Sequence, residues 1–328
     1  MLKVFILDSA AAPYGTEASI ETEVLRDTAE VHLRHLHRDI DFDGEGGDAD
    51  ALIIWRFRTV TSHLLARAAK VQSIVRNGIG FDNVDIAAAA ALGIPVANVP
   101  DYATEEVADH SIALALALVR QIRPLTRHVA EGGWDWSAGQ GARRLRELTF
   151  GIVGCGRIGT ATALRAKALG FRVRFYDPYV PPGIEKALGI ERCASLRDLL
   201  ESAEVVSLHV PLTAETRFLI DTPQFEAMQP GAWLVNTARG PVVRQEALMD
   251  ALESGKLAGA GLDVLEKEPA GALDLLAFPN VLVTPHAAFY SAESLDEVRR
   301  TSAGMIRETL RSGAVRHVVN GITAARRS

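Results

Sequence analysis

Short apolar runs alternate with helix-like segments along most of this chain. Five apolar runs precede residue 100, and the segments between them have the character of helices. Regular alternation of strand and helix is typical of parallel α/β architecture. The predicted strands of this first part are Lys3–Leu7, Glu30–Leu33, Ala51–Trp55, Ser73–Val75 and Val96–Asn98, and the predicted helices include Ser19–Arg26, Ser62–Ala69 and Asn83–Leu92.

A second alternating pattern runs from about Leu148 to Pro285, after a long predicted helix from Thr104 to about Ile122. Thr104 is the expected N-cap of that helix. The middle of the helix is apolar on every face, so we expect it to be buried all round at a domain or subunit junction. The predicted strands of the second part are 150–153, 172–176, Val205–Leu208, Trp233–Asn236, Gly259–Asp263 and Val281–Thr284, with a helix at Gln245–Ser254.

The glycine-rich sequence GCGRIG, at residues 154–159, lies between a predicted strand and a helix over 160–169, and the next strand ends at Asp177. Strand, glycine turn, helix, strand and acid together form the dinucleotide-binding fingerprint; the alternative is a coincidental glycine turn. Gly154 permits the turn, Gly156 lets a pyrophosphate approach the backbone, and Gly159 lets helix and strand pack closely. The helix N-terminus favours phosphate. Asp177 can bind the ribose hydroxyls and would repel a 2′-phosphate, which predicts NAD over NADP.

The predicted fold class is α/β with two doubly wound parallel-sheet domains. The amphipathic segment Leu295–Arg311 is predicted to be a helix that returns to pack on the first part. The cofactor domain would then be inserted within the other domain. We expect a flavodoxin-like substrate domain over 1–100 and 291–328, and a Rossmann NAD-binding domain over 101–290.

Composition narrows the class of protein further. The chain has 328 residues, of which 48% are hydrophobic and 23% charged, with a net charge of −6 and no block of like charge. A nucleic-acid surface is therefore not expected. The longest apolar stretch, Ile112–Val119, is too short to span a bilayer, and the N-terminal apolar run reads as a strand and not as a signal peptide. Two cysteines fit a reducing cytoplasm. His32, His35 and His37 have no supporting ligand cluster, so no metal is expected.

Charged and polar residues follow the predicted strands of the second part, where open α/β sheets bind ligands. They are His209, Arg239, Asp263 with Glu268, and His286. Hydride transfer to or from a nicotinamide requires a group that moves the hydroxyl proton, a cation that holds a carboxylate, and a group that orients the base.

Each of these requirements has a candidate residue. His286 suits proton transfer because imidazole titrates near neutral pH. Arg239 suits the second task because guanidinium binds a 2-oxo carboxylate in bidentate fashion. Glu268 could hydrogen-bond the far nitrogen of His286 and favour its charged form. The alternative is that these are solvated loop residues. His209 is expected to be a wall of the cofactor site or a structural hydrogen-bonding residue.

Several motifs resemble those of the D-2-hydroxyacid dehydrogenase family. They are GCGRIG at 154–159, HVPLT at 209–213, NTARG at 236–240, GLDV at 261–264 with EP at 268–269, TPHAA at 284–288 and RNGIGFDNVD at 76–85. The resemblance extends over nearly the whole chain. The sequences FYDPY at 175–179 and HAAFYS at 286–291 most resemble the branch that contains the C-terminal-binding proteins. Phe289 departs from that branch, whose members carry tryptophan there, so their substrate preference is not carried over.

The resemblance implies that Arg239, Glu268 and His286 form a catalytic trio and that Asp263 holds the nicotinamide carboxamide. It also implies that the backbone at Gly78 and Ile79 binds the substrate carboxylate, with Arg76, Arg239 and His286 as further substrate contacts. The implied cofactor contacts are Thr104, Gly154, Gly156, Arg157, Ile158, Gly159, Asp177, His209, Pro211, Thr216, Thr237, Ala238, Arg239, Asp263 and His286.

The function expected from the residues and the resemblance is NAD-dependent interconversion of D-2-hydroxy acids and 2-oxo acids. Members that resemble this chain are usually homodimers joined through their cofactor domains. The rival is an NAD(H)-sensing scaffold like the C-terminal-binding-protein corepressors, against which the intact catalytic trio argues. A third alternative is a nucleotide-binding domain without catalysis. The substrate side chain is left open among glyoxylate, hydroxypyruvate, pyruvate, phosphoglycerate and larger acids.

Overall fold

The computed structural model describes residues 1–11, 13–37, 47–56, 58–268 and 274–326. The chain forms two compact units. Unit 1 comprises Met1–Tyr102 and Ser291–Ser328, and unit 2 comprises Ala103–Tyr290. Two crossings of the chain therefore connect the units, one near residue 102 and one near residue 290, and unit 2 is inserted in the sequence of unit 1.

Unit 1 is built on a five-stranded parallel sheet in the order β2-β1-β3-β4-β5. This order is that of flavodoxin-like folds. Its elements, numbered along the whole chain, are β1 Leu2–Ser9, α1 Ser19–Leu25, β2 Ala29–Leu36, β3 Ala51–Ile54, α2 Ser62–Arg67, β4 Ser73–Arg76, α3 Ile86–Ala91, β5 Val96–Asn98 and the last helix, α11 Ala292–Ser312.

Unit 2 is built on a seven-stranded sheet. Its elements are α4 Thr104–Val119, α5 Ile122–Ala130, β6 Thr149–Val153, α6 Arg157–Ala168, β7 Arg172–Tyr176, α7 Ile184–Leu188, β8 Glu191–Arg192, α8 Leu196–Leu200, β9 Val205–Leu208, α9 Thr222–Ala227, β10 Ala232–Asn236, α10 Gln245–Glu253, β11 Leu257–Leu262 and β12 Val281–Val283, with 3₁₀ turns at Trp136–Gly139, Leu145–Glu147, Gly240–Val242 and Asp274–Ala277. The strand order is β12-β11-β10-β9-β6-β7-β8, and every pair is parallel. The order reverses at β6 and β9, which is the switch point of a Rossmann sheet.

The predicted α/β class with two parallel sheets is confirmed. The central strands of both sheets are buried along their whole length, as in β3, β6 and β10. These strands are continuous apolar runs, as expected where helices cover both faces of a parallel sheet.

The long helix between the two parts differs from its prediction in three ways. Helix α4 ends at Val119, and Gln121 takes a left-handed conformation (φ 55°) before α5 begins at Ile122. The N-cap is Ala103, so Thr104 is the first helical residue and not the cap. Burial all round is wrong for the single chain, because Ala113 is exposed while Leu114 and Leu118 pack against glycines of β11.

A buried ion pair joins α11 to α1 in unit 1. The guanidinium of Arg299 binds both carboxylate oxygens of Glu21, at 2.8 and 2.7 Å, and the Glu21 side chain is only 1% exposed. The same hydrogen bond raises the pKa of Arg299. The two segments of unit 1 that are most distant in sequence are therefore connected by a bidentate charge-assisted contact.

We expect Arg299→Met to lower the free energy of unfolding by about 3–5 kcal/mol, because it leaves the buried Glu21 carboxylate without its partner. Urea denaturation checks this value. The double variant Arg299→Met with Glu21→Leu should recover most of the loss, since it removes both charges. An equal loss in the single and the double variant would show that packing, and not the unpaired charge, is the cause.

None of the helices within the described residues combines the length and the apolar character that crossing a bilayer requires. Both cysteines, Cys155 and Cys193, are buried and unpaired. Burial raises the pKa of each thiol. A cytoplasmic location stays a prediction.

Candidate active site

The glycine turn after β6 depends on two glycines for steric reasons. Gly154 has a positive φ of 90°, and a Cβ there would lie 2.9 Å from Val210 Cγ1 and 3.0 Å from the backbone of His209. A Cβ on Gly159 would lie 1.9 Å from the carbonyl oxygen of Gly154. Side chains at either position would therefore push the turn away from α6 or from the loop after β9.

The third glycine has a different environment. A Cβ on Gly156 would meet no described atom within 4 Å, and Gly156 and Arg157 are both exposed. Helix α6 begins immediately afterwards, over twelve residues, and no described side chain caps its N-terminus. An exposed, uncapped helix start beside a glycine backbone fits a dinucleotide pyrophosphate, whose oxygens would accept hydrogen bonds from the first amide groups of α6.

Asp177 holds the turn from the neighbouring strand. Its Oδ2 accepts a hydrogen bond from the Cys155 amide at 2.8 Å, and its Oδ1 accepts one from the Tyr179 amide at 2.8 Å. The acid that follows β7 is thus half-buried beside the glycine turn, where the ribose of a bound dinucleotide is expected.

His286 and Glu268 are in direct contact. The Nδ1 atom of His286 lies 3.1 Å from Glu268 Oε2 and 3.4 Å from Oε1, and both side chains are largely buried. Glu268 is held in turn by the Leu265 amide, which donates to Oε1 at 2.9 Å. Nδ1 is therefore the ring nitrogen that faces the Glu268 carboxylate. Pro269 of the EP motif lies outside the described residues.

The backbone at His286 has a left-handed conformation, with φ 54°. Its amide donates to the carbonyl oxygens of Asp263 (2.8 Å) and Thr284 (2.9 Å). The next two amides, of Ala287 and Ala288, donate to the two carboxylate oxygens of Asp263 at 2.8 and 2.9 Å. Asp263 is 2% exposed, so its buried carboxylate fixes the conformation of the loop that carries His286.

Arg239 follows β10, which lies next to β11 in the sheet, and β11 lies next to β12. Asn236 shapes its loop by accepting from the Ala238 amide and donating to the Arg239 carbonyl, both at 3.0 Å. Arg239 Nη1 donates to the Ala238 carbonyl at 2.7 Å. A Cβ on Gly240 would lie 1.8 Å from the Leu265 carbonyl oxygen, so the Arg239 loop lies directly against the loop that leads to Glu268.

Other predicted cofactor contacts of unit 2 lie on the loops after β9 and β10, and Thr104 is the first residue of α4. His209 Nε2 is 2.9 Å from Ser207 Oγ, and burial lowers the pKa of His209 to about 3, so its ring is neutral at ordinary pH. Thr216 donates to the Pro211 carbonyl within one loop. Thr237 is buried, and its Oγ1 lies 2.7 Å from Ser111 Oγ. Thr104 Oγ1 is buried without a described hydrogen-bond partner.

Of the predicted substrate contacts in unit 1, Arg76 is the last residue of β4, and Gly78 and Ile79 lie in the loop that follows it. Arg76 is buried and donates to the Asn77 carbonyl at 2.9 Å. A Cβ on Gly78, whose φ is +143°, would lie 1.6 Å from Arg76 Nη1. The guanidinium therefore lies against the glycine backbone, and Asn98 Nδ2 fixes the loop by donating to the Ile79 carbonyl at 2.6 Å.

Comparison with known proteins decides the family. The model of the D-isomer specific 2-hydroxyacid dehydrogenase NAD-binding domain matches residues 112–288, which is more than half of the chain. This chain belongs to the D-2-hydroxyacid dehydrogenase family. Its cofactor class is therefore NAD, and unit 2 contains the NAD-binding domain.

Relatives within the D-2-hydroxyacid dehydrogenase family include enzymes with different substrates. D-3-phosphoglycerate dehydrogenase from Methanocaldococcus jannaschii is 37% identical over 83% of this chain and 52% of its own length. The solved D-lactate dehydrogenase of Aquifex aeolicus, with NAD and lactic acid, has a TM-score of 0.85 at 29% identity and covers 97% of this chain and 99% of its own. The NADPH-dependent glyoxylate/hydroxypyruvate reductase of Sinorhizobium meliloti, with NADP and malonate, has a TM-score of 0.86 at 28% identity. The match covers 100% of this chain and 99% of the reductase. The chain spans about half the length of the curated relatives it matches.

The structure also shows contacts beside the loops of Arg239 and His286 that the sequence did not predict. His110, on α4, lies 3.0 Å from Thr284 Oγ1, and Ser111 contacts Thr237. The available signal was two adjacent polar residues directly before the apolar stretch of α4. Separately, in unit 1, Trp55, which the sequence had suggested as a substrate wall, stacks on the ring of Tyr14 with centroids 5.2 Å apart. Burial raises the pKa of Tyr14 to about 12.

Proposed function

We propose that this protein is an NAD-dependent oxidoreductase that interconverts D-2-hydroxy acids and 2-oxo acids. The observation that carries the proposal is the contact between His286 Nδ1 and Glu268, on loops beside the strand that leads to Arg239. An imidazole oriented by a carboxylate is suited to give a proton to a carbonyl oxygen or to take one from a hydroxyl.

Each residue of the trio has one task in this proposal. His286 Nε2 exchanges the proton of the substrate oxygen at C2. Glu268 fixes the orientation of the ring and stabilises its charged form. The guanidinium of Arg239 binds the substrate carboxylate and polarises the carbonyl. NADH, when bound, supplies the hydride. The backbone at Gly78 and Ile79, with Arg76, is proposed to bind the substrate carboxylate from unit 1.

The substrate class is tested with a panel of 2-oxo acids. We expect the purified protein to oxidise NADH with at least one of glyoxylate, hydroxypyruvate, pyruvate, phosphohydroxypyruvate or a larger 2-oxo acid. The names of the relatives support a panel of this breadth. NADH binding without turnover on any acid would favour an NAD(H)-sensing scaffold like the C-terminal-binding proteins instead.

We expect NADH to be preferred over NADPH by about 10²-fold in kcat/KM. The reason is that a 2′-phosphate beside the Asp177 carboxylate would bring like charges together, which costs several kcal/mol. Asp177→Asn is the matched variant, since it removes the charge and keeps the shape and one hydrogen-bond acceptor. Its ratio of NADH to NADPH use should fall toward unity. Equal use of both cofactors by the unmodified protein would contradict this role for Asp177.

A homodimer is proposed through the segment of unit 2 that follows α4. None of the side chains of α5 is buried in the described chain, and the following loop exposes Trp134 (91%) and Trp136 (83%). Large exposed tryptophans beside an amphipathic helix are characteristic of surfaces that bind another protein. A second copy of this chain is the proposed partner.

We expect Trp134→Glu with Trp136→Glu to convert the dimer to a monomer, since buried interface tryptophans commonly contribute about 2 kcal/mol or more each. Sedimentation velocity measures the mass. Leu92→Glu, at another exposed apolar position, is the control and should leave the mass unchanged. A monomeric unmodified protein, or an unchanged double variant, would contradict the proposal.

A further inference from the structure

The Asp263 carboxylate, which binds the two amides after His286, has a third donor. Thr284 Oγ1 donates to Asp263 Oδ1 at 2.6 Å. The Nε2 atom of His110 lies 3.0 Å from the same hydroxyl and 3.8 Å from Asp263 Oδ1. A hydroxyl has one proton, and Thr284 gives it to Asp263, so His110 must be the donor in the other bond. A directed chain of hydrogen bonds therefore runs from α4 to the loop of His286.

The next residue of α4 makes a parallel contact with the neighbouring loop. Ser111 Oγ donates to the Val107 carbonyl at 2.7 Å. It must therefore accept the proton of Thr237 Oγ1, which lies 2.7 Å away. Adjacent residues of one helix thus fix the loops after β10 and β12, which carry Arg239 and His286.

The geometry at Asp263 shows why the hydrogen bonds from His110 and Thr284 matter for His286. Thr284 and the Ala287 amide share Oδ1, while the Ala288 amide binds Oδ2. The carboxylate is buried, and the described hydrogen-bond donors to it are the Thr284 hydroxyl and these two amides. Loss of the Thr284 hydroxyl would let the carboxylate turn, and the grip on both amides beside the left-handed His286 would weaken.

We propose that His110 and Thr284 are positioning residues, whose hydrogen bonds to Asp263 hold the Thr284–Ala288 loop so that the His286 ring stays aligned with Glu268. The kinetic part of this inference rests on the proposed dehydrogenase function. Neither residue is assigned a chemical step. Their effect is on the alignment of His286, and misalignment of a catalytic group by about 1 Å costs on the order of 10²-fold in rate.

Matched substitutions at both positions test the proposal by kinetics. Thr284→Val removes the hydroxyl at nearly constant shape and should lower kcat about 10- to 100-fold with little change in KM. Thr284→Ser keeps the hydroxyl and should retain wild-type kcat. His110→Leu should resemble Thr284→Val, while His110→Gln keeps an amide donor near the Nε2 position and should be largely rescued. Wild-type kcat in both Thr284→Val and His110→Leu would overturn the proposal.

A second readout does not need turnover. Amide hydrogen exchange at Ala287 and Ala288, in the protein without cofactor or substrate, should be faster in Thr284→Val and His110→Leu and unchanged in Thr284→Ser and His110→Gln. Because Asp263 keeps its two amide donors, the thermal midpoint should fall by no more than about a few degrees. Faster exchange throughout unit 2 would assign these residues a general structural role and overturn the proposal. If Thr284→Val fails to fold, the comparison of His110→Leu with His110→Gln tests the proposal in the same way.

If the unmodified protein reduces no 2-oxo acid, the proposed function is wrong. Amide exchange at Ala287 and Ala288 then still tests whether His110 and Thr284 hold the loop.

Discussion

Replacement of His286 by glutamine is expected to lower turnover of a 2-oxo acid by roughly 10²–10⁴-fold, the contribution usual for a general acid or base. Glutamine retains an amide that can contact Glu268, but it does not exchange a proton near neutral pH. The dissociation constant for NADH should stay close to that of the unmodified protein. The reason is that the glycine turn follows β6 and leads into α6, whereas His286 follows β12 at the edge of the sheet. Steady-state kinetics and a fluorescence titration with NADH measure the two quantities.

Glu268→Gln is the control for the orienting role. Its amide oxygen can still accept from the Leu265 amide, so the loop should keep its shape while the charge beside His286 is lost. We expect a smaller fall in turnover than for His286→Gln. Near-normal turnover of His286→Gln would mean that another group moves the proton, and the assignment of the pair would then be wrong.

The second large effect is expected at Arg239. Arg239→Gln should lower kcat/KM by about 10²–10³-fold, as observed generally when a donor to a developing oxyanion is removed. Arg239→Lys should recover only part of this loss, because an ammonium group cannot bind a carboxylate through two parallel N–H groups. Kinetics at varied 2-oxo acid concentration separate the effects on KM and kcat.

Added guanidinium ion offers a sharper control for Arg239. It should partly restore Arg239→Gln, whose side chain is shorter, and should leave the unmodified protein unchanged. If Arg239→Lys has the full kcat/KM of the unmodified protein, bidentate binding of the carboxylate has no part in the reaction.

Much of the fold follows from the sequence because each sheet is covered on both faces. Strands in that environment are unbroken apolar runs, as in β3, β6 and β10, and they can be recognised without long-range information. The glycine turn could also be predicted, since its steric constraints are local. The break at Gln121 could not, because a left-handed residue other than glycine has no strong local signal.

The sequence could place Arg239, Glu268 and His286 after neighbouring strands, but not the contacts that arrange them. The left-handed His286 depends on the Asp263 carboxylate, 23 residues earlier in the chain, and Asp263 depends on His110 and Thr284. The contact between His110 and Thr284 spans 174 positions. Such pairs are decided by how α4 packs on the sheet, and no periodicity or spacing in either segment specifies it.

The most direct test of the central claim is isotope transfer. NADH deuterated at the transferable position is incubated with the protein and a 2-oxo acid that it reduces, and the product is analysed by mass spectrometry and chiral chromatography. The account predicts one deuterium at C2 of the D-2-hydroxy acid, and loss of this product in His286→Gln. An unlabelled product, or the L-enantiomer, would contradict it.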